Sequence, residues 1–501
     1  MSTEKGTINF QLLDNLESQE WQHSSRPGRL FSRLEDGRIQ CHLSPRQCKM
    51  KEGQPGFCRV RVNKGGELHT LNYGKSVNVT EESIETEAVF HYMPGARILS
   101  LGNIGCMMNC DYCHNWKTSQ ARFVQDEEIN EYTSEQIVTI AEERNIPVLS
   151  WTYNDPVVWH EFVVDTSRLA HERGLVNLYK SAFFISLEGA AELCKSIDIF
   201  SVSIKTMDEE LYRKISKGWL PPVLEATKYV FDQGKHVEVS NLMVTDANDS
   251  EDDAATIAKW VLTHLSAETP VHFVRFHPDY KYTHVGRTPI ERLVRARKVA
   301  MEMGIKYCYL GNVYDNEGTN TFCHHCGSLL IERFGLNTWI RGLTADGCCQ
   351  QCGTDLLLIG LATDAQTPQV GEQAEIIPTE TLEERSYNWR GDVNACHVEM
   401  INTTAETQAI YYWRMNGNGT GVGPIRSHVH AGDRYRFILS KSSPNETGVR
   451  IQYPDQIKLK LYEVFDRAHY PTVDVDTAQG ESDSIPALQY VRRGGQSPQP
   501  S

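Results

Sequence analysis

The stretch that decides the fold is the apolar run Ala96-Arg97-Ile98-Leu99-Ser100-Leu101, followed four residues later by Cys106-Met107-Met108-Asn109-Cys110-Asp111-Tyr112-Cys113. A strand-like segment ends and a loop begins with three cysteines at C-x3-C-x2-C spacing. Such a loop can aim three thiolates at one point, and thiolates are the ligands that iron–sulfur clusters take. Three ligands on a four-iron cluster leave one iron open, as catalytic metal sites require. A zinc loop short of one ligand, or chance, would give the same spacing. Position favours the cluster. Strand-like segments recur at 147–152, 175–179, 197–203, 236–244, 271–276 and 306–310, with helical segments at 134–144, 157–173, 187–196, 209–233, 252–265 and 290–303 between them. Alternating units of this length mean parallel strands with crossover helices. In such folds active sites lie at the C-terminal ends of the strands, where this loop stands.

The rest of the composition narrows the class. The chain has 501 residues, with 50 Lys plus Arg against 65 Asp plus Glu and a net charge of -15. A surface that acidic gives no broad footprint for nucleic acid or anionic membrane, because phosphate binding rests on Lys and Arg. No apolar run is long enough to span a bilayer. Met1-Ser2-Thr3-Glu4-Lys5 opens no signal-peptide pattern, so a cytoplasmic location is expected. In that setting the 14 cysteines point to metal or catalysis rather than disulfides.

Two more cysteine groups stand at ligand spacing. Cys323-His324-His325-Cys326 and Cys349-Gln350-Gln351-Cys352 are two C-x2-C knuckles, and Gly327 and Gly353 let the backbone turn after each. One structural Zn²⁺, or a rubredoxin-like iron, on four thiolates is the expectation; an auxiliary iron–sulfur cluster is the runner-up. The third group is Cys41, Cys48 and Cys58. Cys194, Cys308, Cys348 and Cys396 need no metal.

With these residues in hand, the chain resembles the radical S-adenosylmethionine (radical SAM) superfamily. Cys113-His114-Asn115-Trp116, Lys117–Gln120, Thr152–Pro156, Arg275–Lys281 and Gly311-Asn312-Val313 look like its AmmeMemoRadiSam-system branch, a relative of the activating enzymes of glycyl radical enzymes. The likeness covers roughly 40–355. It implies a partial (β/α)6 barrel, a [4Fe–4S] cluster on Cys106, Cys110 and Cys113, SAM on the open iron, and a low-potential electron donor of flavodoxin or ferredoxin type. It also implies residue roles. Tyr112 would contact adenine. Thr152, Asn154 and Asp155 would bind the SAM amino group. Lys205 would meet the SAM carboxylate, and His277 would lie near SAM. Ser203 stands where activating enzymes carry an aspartate, which weakens the activase reading. Lys180 and Ser181 replace a Thr-Asn-Gly pattern, and Ser240 and Asn241 are expected to end the fifth strand and face the cavity. In the third cysteine group the branch has four cysteines, and Ser44 replaces one here. Three thiolates with His42 or another ligand would still bind metal; alternatively the site is lost.

The expected organisation is an α/β chain: a Cys-containing segment at 1–95, the barrel at 96–310, a zinc-ribbon-like extension at 311–360, a linker at 361–384, a small all-β domain at 385–475 and a disordered tail at 476–501. Three functions compete. One is radical SAM chemistry on a small molecule or peptide. The second is installation of a glycyl radical on a partner protein. The third is a zinc-ribbon interaction module on a non-catalytic barrel. The β domain offers a further surface for a protein partner.

Overall fold

The structure is a computed structural model. It describes residues 20–313, 316–334, 337–360 and 382–388, and then 395–405, 408–416, 421–429, 434–440 and 446–463. Of the expected linker at 361–384, residues 361–381 lie outside the described residues, whereas 382–384 open the strand Leu382–Asn388; the tail also lies outside them.

Eight strands form the central sheet: β1 (Asn78–Ser83), β2 (Arg97–Gly102), β3 (Val148–Thr152), β4 (Val176–Ser181), β5 (Ile199–Ser203), β6 (His236–Met243), β7 (Val271–Arg275) and β8 (Cys308–Gly311). They lie side by side in chain order. β2 to β8 are mutually parallel, and β1 adds antiparallel to β2 at the edge. Six helices make the crossovers: α1 (Ser134–Glu143), α2 (His160–Glu172), α3 (Leu187–Leu193), α4 (Leu220–Asp232), α5 (Glu251–His264) and α6 (Ile290–Met303).

Local chemistry explains the helix starts. Thr133 and Gln136 form a capping box on α1, and Ser250 and Asp253 form one on α5. Each helix buries one stripe, as α4 does with Leu220, Val223, Ala226 and Val230. The strands alternate. Trp151 packs against Trp159 and Phe162 on the helix side. Its neighbours Ser150 and Thr152 belong to the other face. That inner face is apolar at one level, where Ile84, Val89, Ile98, Val148, Leu178 and Ile199 cluster. It is polar elsewhere. Buried Glu238 accepts from the Phe90 and His91 amides and from His236 and His272.

The helix expected over 209–233 is broken. Glu209–Leu211 passes into a wide turn at Tyr212–Ser216, Lys217 takes φ 59°, and only then does α4 begin, with prolines in its first turn. Gly218 and Pro221-Pro222 account for the break, since proline is tolerated at a helix start but not inside. Ser240 and Asn241, expected to end a strand, lie inside β6.

Described strands from 382 onward belong to a separate unit. They form a four-stranded and a three-stranded antiparallel sheet. Gln408–Asn416 pairs with Gly421–Val429, although the Asn-Gly turn between them lies outside the described residues. No helix among the described residues is long and apolar enough to cross a membrane.

Candidate active site and four-cysteine group

The cysteine loop leaves the C-terminal end of β2 and is clamped from both sides. On one side, Asn154 at the end of β3 donates from Nδ2 to the carbonyls of Asn103 and Gly105, each at 2.7 Å. Asn72 donates to the Ile104 carbonyl at 3.0 Å. Gly105 takes φ +91°, and a Cβ there would meet the Cys58 carbonyl at 3.0 Å, so glycine is required. On the other side, the wide turn before α4 supplies backbone. Asp111 N donates to Ile215 O at 2.8 Å, and Lys217 Nζ pairs with Asp111 at 2.8 Å. Tyr112 OH bonds Ser216 Oγ at 2.8 Å, and its ring is buried with Ile215, Val244 and Phe276.

The three thiols are half-buried and free of disulfides. Burial raises all of them, Cys110 to about 11. A metal would displace those protons on binding. The positive charge of Lys205 opposes the rise at Cys110 and Cys113. Lys205 follows β5, with its carbonyl held by Asn241 and Asn248. His277 follows β7 and stacks on His114 at 3.6 Å between ring centroids, one residue from Cys113.

Not every expected SAM contact faces this centre freely. The Thr152 hydroxyl donates to Glu87 at 2.7 Å. The Asp155 carboxylate is taken up by Ser181 Oγ and the amides of Ala182 and Val157, so it caps the turn after β3 and ties it to β4. Asn154 differs. Its Oδ1 is buried and has no hydrogen-bond partner among the described residues. Ser203 bonds Ser240 at 3.1 Å, and Lys180 donates to both Ser240 and Ser201. Burial lowers Lys180 and raises Glu87, each opposed by the other's charge.

Sequence reading missed Ser216 and Lys217, which hold the loop through contacts remote in sequence. Gly218 ahead of Pro221-Pro222 was the available signal. The residues present fit a thiolate-bound cluster. Three desolvated sulfurs lie on one clamped loop, with a cation and an unpaired buried acceptor beside it.

The four later cysteines converge. Their sulfurs all lie within 4.8 Å of one another, with Cys323 to Cys352 and Cys326 to Cys349 each at 3.6 Å. Tetrahedral coordination at zinc–sulfur bond lengths spaces sulfurs about 3.8 Å apart, so the group can hold one metal ion. Gly327 and Gly353 take φ 75° and 74° and close the knuckles. A hydrogen bond with Ser328 lowers Cys326 to about 6. His324 is exposed and bonds Tyr307 OH.

A family model described as the radical SAM superfamily matches residues 103–261. "Uncharacterized protein MJ0808" of Methanocaldococcus jannaschii is 41% identical over 336 residues, 67% of this chain and 99% of that one. The benzylsuccinate synthase activating enzyme of Thauera aromatica is 25% identical over 171 residues, 30% of this chain and 51% of its own. A solved radical SAM methyltransferase from Sphaerobacter thermophilus aligns over 47% of this chain and 71% of its own, with 16% identity and a TM-score of 0.35. The chain belongs to the radical SAM superfamily. It is therefore an enzyme of SAM cleavage, with SAM and a [4Fe–4S] cluster as cofactors.

Proposed function

We propose that Cys106, Cys110 and Cys113 hold the cluster and that the enzyme abstracts hydrogen from a small-molecule or peptide substrate. The observation that carries this is the clamped three-thiol loop at the end of β2, with Asn154, Lys205 and His277 following the ends of β3, β5 and β7. When bound, the cluster supplies the electron that cleaves SAM to methionine and a 5′-deoxyadenosyl radical, which takes a hydrogen atom from substrate. The unpaired Asn154 Oδ1 is an acceptor for the SAM amino group. Lys205 is a point-charge donor for its carboxylate. Tyr112, pinned through Ser216, sets the adenine side, and His277 closes the wall beside Cys113. Thr152 and Asp155 act by positioning. Ser203, Ser240 and Lys180 form the polar floor of the substrate pocket.

A second reading, installation of a glycyl radical on a partner protein, is favoured by the activating-enzyme relative. Ser203 in place of the expected aspartate weighs against it. We assign zinc to Cys323, Cys326, Cys349 and Cys352, 96–310 to catalysis, 311–360 to the metal-bound extension and 385–475 to a β domain. A reducing cytoplasm and a flavodoxin- or ferredoxin-type donor suit this chemistry.

The test is anaerobic reconstitution with iron and sulfide, then SAM and dithionite. 5′-Deoxyadenosine is expected, and its absence sinks the first two readings. Cys110→Ala should abolish it. Zinc should survive loss of the three central cysteines and disappear in Cys323→Ala/Cys349→Ala.

A further inference from the structure

We propose that Cys41, Cys48 and Cys58 hold a second iron–sulfur cluster, set directly against the cysteine loop of the first. The three come from different elements. Cys41 ends the strand Ile39–Cys41, Cys48 precedes the strand Lys49–Met50, and Cys58 stands just before Arg61–Lys64. Cys41 N donates to Cys48 O at 3.0 Å, and Phe57 N points at Cys48 Sγ at 3.5 Å. All three line one small cavity, together with Ser44, Arg46 and Met107. None is in a disulfide.

Spacing separates this group from the four-cysteine one. Among the described residues, only Cys323, Cys326, Cys349 and Cys352 bring all their ligand atoms within 4.8 Å of one another. The three N-terminal thiols are more open, as are Cys106, Cys110 and Cys113. A single tetrahedral ion needs sulfurs about 3.8 Å apart. A cluster with several irons between its ligands takes a wider set.

Charge is the second observation. Arg46 is half-buried, with its guanidinium 3.5 Å over the Phe57 ring and its Nε bonded to Met107 O at 2.6 Å. Arg46 shares its cavity with Cys48 and Cys58, and the carbonyl it bonds belongs to the residue next to Cys106. No carboxylate lies within ion-pair distance of it among the described residues. A cation withdrawn from water needs a counter-charge, and thiolate-bound clusters on both sides provide one. The two trios also adjoin directly, because Cys58 and Cys106 line a common cleft.

The fourth ligand is not His42. Its Nε2 pairs with Ser32 Oγ at 2.8 Å and its Nδ1 with Gln47 Oε1 at 2.7 Å. Ser44 lines the cavity itself and offers a hydroxyl oxygen there.

The experiment measures iron, acid-labile sulfide and the EPR signal of the dithionite-reduced full-length protein after anaerobic reconstitution. Wild type should carry about two clusters' worth of sulfide per chain, and Cys106→Ala/Cys110→Ala/Cys113→Ala about half of that. Further loss of Cys41, Cys48 and Cys58 should remove the remainder. The four-cysteine group does not confuse the count, because a single ion on four thiolates carries no sulfide. Background sulfide in the central triple variant, with wild-type zinc content and circular dichroism, overturns the proposal. Should that variant misfold, wild-type stoichiometry decides: one cluster equivalent overturns the proposal, and two support it. Sulfide content is read independently of 5′-deoxyadenosine, so failure of the proposed SAM chemistry and failure of this site are distinguishable.

Discussion

Asn154 Nδ2 donates to Gly105 O at 2.7 Å, joining the end of β3 to the residue immediately before Cys106. The same nitrogen reaches Asn103 O, so one side chain satisfies two loop carbonyls. Asn154→Ala strands both in a buried site and should cost about 2–3 kcal/mol. Asn154→Asp keeps the shape but sets an acceptor against acceptors, and should be worse. Denaturant unfolding and iron retention after gel filtration check the order. Equal iron in all three proteins would contradict the clamp.

Gly105→Ala combines a disfavoured backbone with a Cβ 3.0 Å from both Cys58 O and Val60 Cγ1. Destabilisation of roughly 1–3 kcal/mol is expected, together with reduced cluster loading. Normal loading with an unchanged melting temperature would show that the loop does not need the glycine.

Half-buried Lys180 on β4 and buried Glu87 carry charges that act on each other. Lys180→Met removes the cation and leaves Ser201 and Ser240 short of a donor. The loss should be roughly 1–3 kcal/mol. Glu87→Gln added to it should recover more than half, a coupling that a double-mutant cycle reads directly. Strictly additive effects would show that the two charges do not interact.

Burial lowers His91 to about 3, from an ordinary value near 6.5. Between those two values the unfolded chain binds a proton that the folded one excludes. Stability from this group is therefore complete above pH 6.5 and is lost as pH falls toward 3, at up to about 1.4 kcal/mol per pH unit. Buried His272 is lowered in the same direction. His91→Gln should flatten the decline measured by urea unfolding across pH 4–7. An unchanged slope would assign the acid sensitivity elsewhere.

Ser328 holds Cys326 down to about 6. Ser328→Ala should move the midpoint of metal release by acid to higher pH, read with a chromogenic chelator. An unmoved midpoint would show that the hydrogen bond does not set metal affinity.

Much of the fold was legible because its periodicity is local. The seven parallel strands and most of the helices lie within a few residues of where alternation of apolar runs puts them. The exception, 209–233, failed because the helical pattern continues through a break that Gly218 and Pro221-Pro222 impose. The C-x3-C-x2-C loop was equally legible, since its ligands are near neighbours in sequence. Thr152 and Asp155 were read as facing ligand. In the structure Glu87, Ser181 and Ala182 occupy them, partners 26 to 65 residues away. No local pattern records such partners.

The amino-acid sequence by itself determined the parallel α/β order, the three central cysteines and the two C-x2-C knuckles, because each is a spacing along one short stretch. Only the tertiary structure decided which polar side chains are consumed in holding the fold and which stay available to a ligand. Asp155 and Thr152 are hydrogen-bonded within the fold, while Asn154 Oδ1 has no partner among the described residues. Only the tertiary structure gathered Cys41, Cys48 and Cys58 around one cavity and brought Cys58 beside Cys106. The reason is physical. Hydrogen bonds and charge pairs are set by distance in space, and the parallel sheet brings together strand ends that lie many residues apart in the chain.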